Sequence, residues 1–214
     1  MSKTLDNVEF ETKYSLEEHS LVTFKQLLES VTDEKKFIYV EGSDKYFTFP
    51  EWWFKQNPQW DPNGTFARYR KPFYGLDNGR RQVTWKYKPA KSKNNISRIE
   101  HNWAIDDTPE DVIEKQLALT GMKFNFSIVK SCHVYKFSDA VLVFYTTYDM
   151  TDGKPKKSAC FIGIEVLEEN MHMLTEPEAF AIISKYEKLL APLGITAQKR
   201  LKKSLFEMFV RREK

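Results

Sequence analysis

A chain of 214 residues with 41% hydrophobic and 14% aromatic content can bury a sizeable core, which argues against intrinsic disorder and for one domain or two small ones. Its net charge of +3 is too small to argue for nucleic-acid binding from bulk charge. Two cysteines, Cys132 and Cys160, lack metal-ligand spacing, no apolar run approaches the ~18 residues of a membrane span, and the start of the chain lacks a signal-peptide pattern, so a soluble protein of the reducing cytoplasm is expected.

In chain order, Val8 to Tyr14 reads as a strand whose alternation puts Glu9, Glu11 and Lys13 on one face and Val8, Phe10, Thr12 and Tyr14 on the other. "SLEEHSLVTFKQLLESV" predicts an amphipathic helix opened by a Ser15/Glu18 capping box. "KKFIYVEGSDKYFTFP" predicts two strand pieces around a turn at Gly42-Ser43-Asp44, and "EWWFKQNPQWDPNG" a long loop carrying Trp52, Trp53 and Trp60. "TFARYRKPF", "RRQVTWKYKP" and "ISRIEHNWAI" read as consecutive antiparallel strands, separated by turns at Gly75–Gly79 and at "AKSKNN". "TPEDVIEKQLALTG" is a helix with Thr108 as cap, Pro109 at its first position and Gly121 as its stop. Three further strands follow, "KFNFSIVKSCHVYKF", "DAVLVFYTTYDM" and "KSACFIGIEVLEE", the first two as a hairpin. From Glu176 the tail reads as helical, broken at Pro192 and Gly194. With no repeat or linker, one α+β domain is the economical reading.

One parity of these strands is heavily ionic. Arg68 and Arg70 share a face, as do Lys86 and Lys88, and Arg98 with Glu100. Like charges facing one another across strands destabilise a sheet, so such a face needs an anion. Glu9, Glu11 and Glu165 are too few to neutralise it and are better suited to a divalent metal. Mg²⁺ commonly takes one or two carboxylates together with phosphate oxygens. A polyphosphate with a metal satisfies both sets of charges.

At this point the motifs resemble a family. E-x-E-x-K at Glu9, Glu11 and Lys13 is similar to the signature of the CYTH superfamily, the triphosphate tunnel metalloenzymes, which include class IV adenylate cyclases and thiamine triphosphatases. "SDKYFTFP" resembles its D-x-Y-F-D segment, "FARYR" its L-R-x-R strand, "VTWKYKP" its T-x-K strand and "SRIEHN" its R-x-E strand. "LTGMKFNFSIVK" resembles the segment ahead of its K-x-R strand, picking out Lys130, and "CFIGIEV" and "PLGI...KKSLFEMF" resemble its closing strand and terminal helix. Two departures stand out: Gly163 where the first carboxylate of E-x-E is usual, and Cys132 where K-x-R has its arginine. His133 has the wrong parity to replace Cys132, and Asp149 is the candidate substitute carboxylate.

The resemblance implies a closed eight-stranded antiparallel β-barrel with helices outside, its interior a tunnel. It implies Mg²⁺ or Mn²⁺ on Glu9, Glu11 and Glu165, and phosphate held by Lys13, Arg68, Arg70, Lys86, Lys88, Arg98 and Lys130. Glu11, Lys13 and Asp149 would be catalytic, with Glu100 and Tyr46 in support. A triphosphatase acting on a nucleoside, thiamine or inorganic triphosphate is the first expectation, a class IV adenylate cyclase the second, and a non-catalytic nucleotide or polyphosphate binder the third. The partner is a small triphosphate, with nucleic acid relevant only as a 5′-triphosphate end, with no membrane, and with room for a homodimer. Other features have plainer readings. The tryptophans form a lid on the core, the scattered His19, His101, His133 and His172 are structural or surface groups, Cys132 is a filler, and the basic C-terminal run is a solvated helix end.

Overall fold

The computed structural model describes residues 7–31, 37–74, 81–91, 97–105, 108–151, 153–154, 156–167 and 174–211. The expected turns at 75–79 and 92–95 and the residue His172 lie outside them.

Eight strands form the frame: β1 (Asn7–Leu16), β2 (Phe37–Thr48), β3 (Phe66–Tyr74), β4 (Gln82–Tyr87), β5 (Ser97–Ala104), β6 (Lys123–Lys136), β7 (Ala140–Asp149) and β8 (Lys156–Val166). They pair antiparallel in the order β1-β5-β4-β3-β2-β6-β7-β8 and close on themselves. Closure leaves no unpaired sheet edge and creates an inside and an outside on every strand.

The outside is apolar and carries the helices α1 (Ser20–Val31), α3 (Glu110–Leu119) and α4 (Glu176–Leu189). Phe24 and Leu28 of α1 and Ala179 and Ile183 of α4 pack with Phe10, Tyr14, Phe144, Ile162 and Ile164 in one core. Ile113 and Leu117 of α3 join Phe47, Tyr69 and Val83 in a second. A third core fills one end of the barrel itself, where Leu205 and Phe206 of α5 (Leu205–Phe209) meet Tyr46, Phe66, Phe126, Ile128 and Phe161. The described helices include none long and apolar enough to cross a membrane.

Several local expectations are corrected. Ser15 and Leu16 belong to β1, opposite Phe161 and Cys160, so the Ser15/Glu18 capping box does not form and α1 starts at Ser20. Strand β2 is continuous rather than two pieces, with a bulge at Glu41/Gly42. A Cβ at Gly42 would lie 3.0 Å from the Lys71 carbonyl oxygen, so glycine there serves close strand approach and not a turn. The tryptophan segment contains the short helix α2 (Glu51–Gln56). Trp53 stacks on Phe49 with ring centroids 4.4 Å apart, and Trp60 packs on Tyr87 at 5.3 Å, so the segment covers the outer face. Pro109, not Thr108, caps α3, and Gly121 follows in the left-handed region at φ 83°. Among its described residues the C-terminal run is helical only at 197–199 and in α5, because Leu205 and Phe206 are drawn into the barrel end.

Candidate functional site: a charged barrel interior

The inner parity of the strands encloses a cavity of about 360 Å³. Six cations line it, Lys13, Arg68, Arg70, Lys86, Arg98 and Lys130, against five carboxyls, Glu9, Glu11, Asp44, Glu100 and Glu165. The register explains the gathering. Glu9 stands opposite Arg98, Glu11 opposite Glu165, and Lys86 opposite Glu100, so alternation on each strand brings residues distant in sequence to one lumen.

Two charged groupings result. In one, Lys86 Nζ donates to Glu9 at 2.6 Å and also pairs with Glu100, while Lys13 pairs with Glu11. Burial pushes the Glu9 carboxyl up, but the Lys86 ammonium, with Lys13 and Arg68, outweighs it and brings it down to about 2. Glu165 is the opposite case: burial and the neighbouring Glu9 and Glu11 carboxylates push it up to about 8. Burial and the Lys86 charge lower Lys13, against the pull of Glu11 and Glu9.

In the second grouping the Arg70 fork donates to Asp44 at 2.8 and 3.0 Å, and Lys130 Nζ lies 2.6 Å from the same carboxylate. Burial opposes ionisation of Asp44, yet Arg70, Lys130 and Arg68 hold it well below the usual carboxylate range. Arg68 spans the two groupings, donating to Thr84 at 3.1 Å, and Thr84 donates onward to Asn102 at 2.8 Å.

Not every donor is satisfied. Arg68 Nε, Arg98 Nε and the Tyr145 hydroxyl are buried without a hydrogen-bond partner among the described residues. Arg98 Nη2 lies 3.5 Å from Glu207 Oε2. Unpaired buried donors are costly, and an acceptor entering the cavity would relieve that cost.

Two expected residues stand elsewhere. Lys88 follows β4 and is held outside the lumen by Glu207 at 2.7 Å and Asp61 at 3.2 Å. Asp149, at the end of β7, accepts from the Thr151 amide at 2.9 Å and faces Arg211 at 3.5 Å; it does not line the cavity and is not positioned to replace a carboxylate at Gly163. Tyr46 and Glu100 both line the cavity. Asp44, Gln82, Asn102 and Tyr145 also line the cavity and went unassigned in the sequence. The D-x-Y pattern at Asp44 and Tyr46 was the available signal for the first; alternation along β4, β5 and β7 marked the others' face but not their height in the barrel.

The carboxyls suit Mg²⁺ or Mn²⁺ in kind, being hard oxygen donors. Among the described residues no group of three or more His, Cys, Asp or Glu side chains is already disposed around an ion, since Glu9 and Glu11 are each tied to a lysine. The crowding that keeps Glu165 protonated is what a divalent cation would relieve, so the donors fit an ion that arrives with phosphate oxygens of its own.

Solved structures share this fold. A conserved hypothetical protein from Pyrococcus furiosus superimposes with a TM-score of 0.65 at 21% identity, over 93% of this chain and 98% of that one. A candidate adenylate cyclase from Vibrio parahaemolyticus gives 0.56 at 18% identity, over 95% and 98% of the two chains. The Mimivirus capping enzyme triphosphatase gives 0.52 at 9% identity, over 90% and 92%. These likenesses are of fold, and the fold is the tunnel barrel that the sequence motifs resemble. No family model and no curated protein matches the sequence.

Proposed function

We propose that the protein is a divalent-metal-dependent triphosphatase, binding a triphosphate-bearing small molecule in the barrel and releasing its terminal phosphoryl group to water. The observation that carries this reading is the convergence of six cations on one cavity, with buried Arg68 Nε and Arg98 Nε left without acceptors. A phosphate chain supplies both the negative charge and the acceptor oxygens. Arg68, Arg70, Arg98 and Lys130 grip the chain, and Lys13 and Lys86 neutralise charge that grows on it during transfer. Water adds to the terminal phosphorus as the bridging P–O bond breaks, leaving orthophosphate and a diphosphate. Glu9 and Glu11 would hold the metal, joined by Glu165 once that carboxyl gives up its proton. When bound, Mg²⁺ or Mn²⁺ supplies Lewis-acid polarisation of the phosphoryl oxygens.

A non-catalytic triphosphate binder is the second reading, favoured by Gly163 and by the position of Asp149 outside the cavity. One assay separates these. ATP, thiamine triphosphate and inorganic triphosphate are incubated with Mg²⁺ or Mn²⁺ and resolved for orthophosphate, pyrophosphate and cyclic nucleotide. Orthophosphate release that stops with chelator is the expected result. Cyclic AMP with pyrophosphate would move the protein to the cyclases, and binding without any product to the binders. Turnover undiminished in excess chelator removes the metal role.

A further inference from the structure

The lumen is not charged all round. Val40, Cys132, Val134 and Val143 line it, with Gly163 beside them, and cross-strand register makes them one surface: Val40 faces Cys132, Val134 faces Val143, and Val143 faces Gly163. Ile38, opposite Val134 and 41% exposed, extends the patch along β2 beyond Val40. Five contiguous positions without a hydrogen-bonding side chain other than one thiol cannot contact phosphate favourably, because desolvating phosphate oxygens against them is uncompensated. Burial pushes the Cys132 thiol up, so it adds no charge at neutral pH.

Glycine at 163 is not demanded by the backbone, since it is absent from the positive-φ glycines. A Cβ there would meet Glu11 Oε1 at 3.4 Å and Tyr145 Cε1 at 3.8 Å, ordinary contact distances, so glycine leaves a notch a side chain could fill. Tyr145 stands at the junction. Its ring is 5.8 Å from Lys130 Nζ, and its hydroxyl is buried without a partner. A ligand lying across the junction presents an acceptor to that hydroxyl and an apolar body to the valines.

We propose that this wall is a subsite for a flat aromatic group esterified to the triphosphate, so that the preferred ligand is an aryl or heteroaryl triphosphate ester and not inorganic triphosphate. The proposal rests on the triphosphate reading above. The cavity, at about 360 Å³, falls at the lower end of the range that encloses small organic ligands. Because the wall offers almost no hydrogen-bonding partner, it recognises apolar area and discriminates poorly among rings of similar size.

The test is calorimetric titration of the native protein with inorganic, methyl and phenyl triphosphate, each with Mg²⁺ and with chelator. Phenyl triphosphate is expected to bind about tenfold more tightly than methyl triphosphate, the factor given by burying on the order of 60 Å² of ring surface. In the Val134→Thr/Val143→Thr protein, which keeps the branched shape, the ratio falls below about threefold while inorganic triphosphate binds as before. Equal affinity for the phenyl and methyl esters overturns the subsite and leaves the phosphate reading standing. Failure of all three to bind overturns both. Should the double variant misfold by circular dichroism, the native comparison decides alone.

Discussion

The two faces of β1 differ in how completely their polar groups are satisfied. On the outer face, buried Tyr14 donates to Glu187, and Arg200 closes the same carboxylate with bonds of 2.5 and 2.8 Å. Every charge there has its counterpart in the chain. On the inner face, Glu9, Glu11 and Lys13 join a lumen in which cations exceed carboxyls, one carboxyl is kept protonated, and three donors lack acceptors. Alternate residues of one strand thus belong to a closed ion-pair network and to the charged lumen respectively. On this strand, saturation more than burial or charge separates the Tyr14–Glu187–Arg200 network from the lumen, although outside the barrel the Tyr69 hydroxyl and His133 Nδ1 also lack partners among the described residues.

The comparison breaks most visibly on its structural side. Arg200→Ala leaves Glu187 buried without its guanidinium, so a loss of about 3 kcal/mol is expected, or roughly 6–12 °C in Tm for a chain of this size, with triphosphate affinity at the surviving fold unchanged. On the inner side, Glu11→Gln is expected to lower turnover about 100-fold with a smaller loss of Tm than Arg200→Ala, because Lys13 keeps the Glu9 carboxylate as a neighbour. A loss of Tm as large as that of Arg200→Ala would make Glu11 a structural residue.

The arginines sharpen the contrast within the lumen. Arg98→Ala removes a guanidinium with an unpaired Nε, so triphosphate binding weakens by ~1.5–3 kcal/mol without a change in Tm. Arg70→Ala weakens binding similarly but also lowers Tm, because Asp44 is left buried with Lys130 as its nearest remaining cation. Equal Tm values for the two variants would contradict the division between paired and unpaired cations.

Glu165 supplies a pH test. Its carboxyl is raised to about 8 in the folded protein, so the native state holds a proton that the unfolded chain has lost above the ordinary carboxyl range. Stability therefore declines as pH rises toward 8, by at most about 1.4 kcal/mol per unit of raised pKa. Glu165→Gln removes that decline, and denaturant titrations at pH 5 and pH 8.5 measure it. Divalent-metal affinity in the presence of triphosphate rises over the same window in the native protein and stays flat in the variant. Glu9, lowered to about 2, works in reverse: its contribution is present above the ordinary carboxyl range and is lost as pH falls toward 2. The smallest effect is expected of Gly163→Ala, a stabilisation of about 0.4–1 kcal/mol, since the notch has room and the backbone is not in the left-handed region. Destabilisation there would show that the notch has no room for a side chain.

What alternation could decide was legible in the chain. A period of two puts Glu9, Glu11 and Lys13 together, and likewise Arg68 with Arg70, without any knowledge of partners. Alternation gave a charged sheet face; the closed barrel was expected only from the family resemblance that the motif order carries, and the barrel is what forms. Height along the barrel was not legible. Lys88 has the parity of Lys86 and Asp149 that of Tyr145, yet both lie beyond the stretch of strand that faces the cavity, because strand tilt and shear fix which inner residues share a level. The same holds for Asp44, whose place between Arg70 and Lys130 depends on β2 pairing with both β3 and β6, contacts across 26 and 86 residues of chain. One end of the barrel is closed from far along the chain, where Leu205 and Phe206 are apolar enough to enter it and fill it. The sequence by itself therefore determined which face each residue takes, a local property of the extended backbone. Only the closed sheet decided which of those residues meet, since that depends on pairing between strands far apart in the chain.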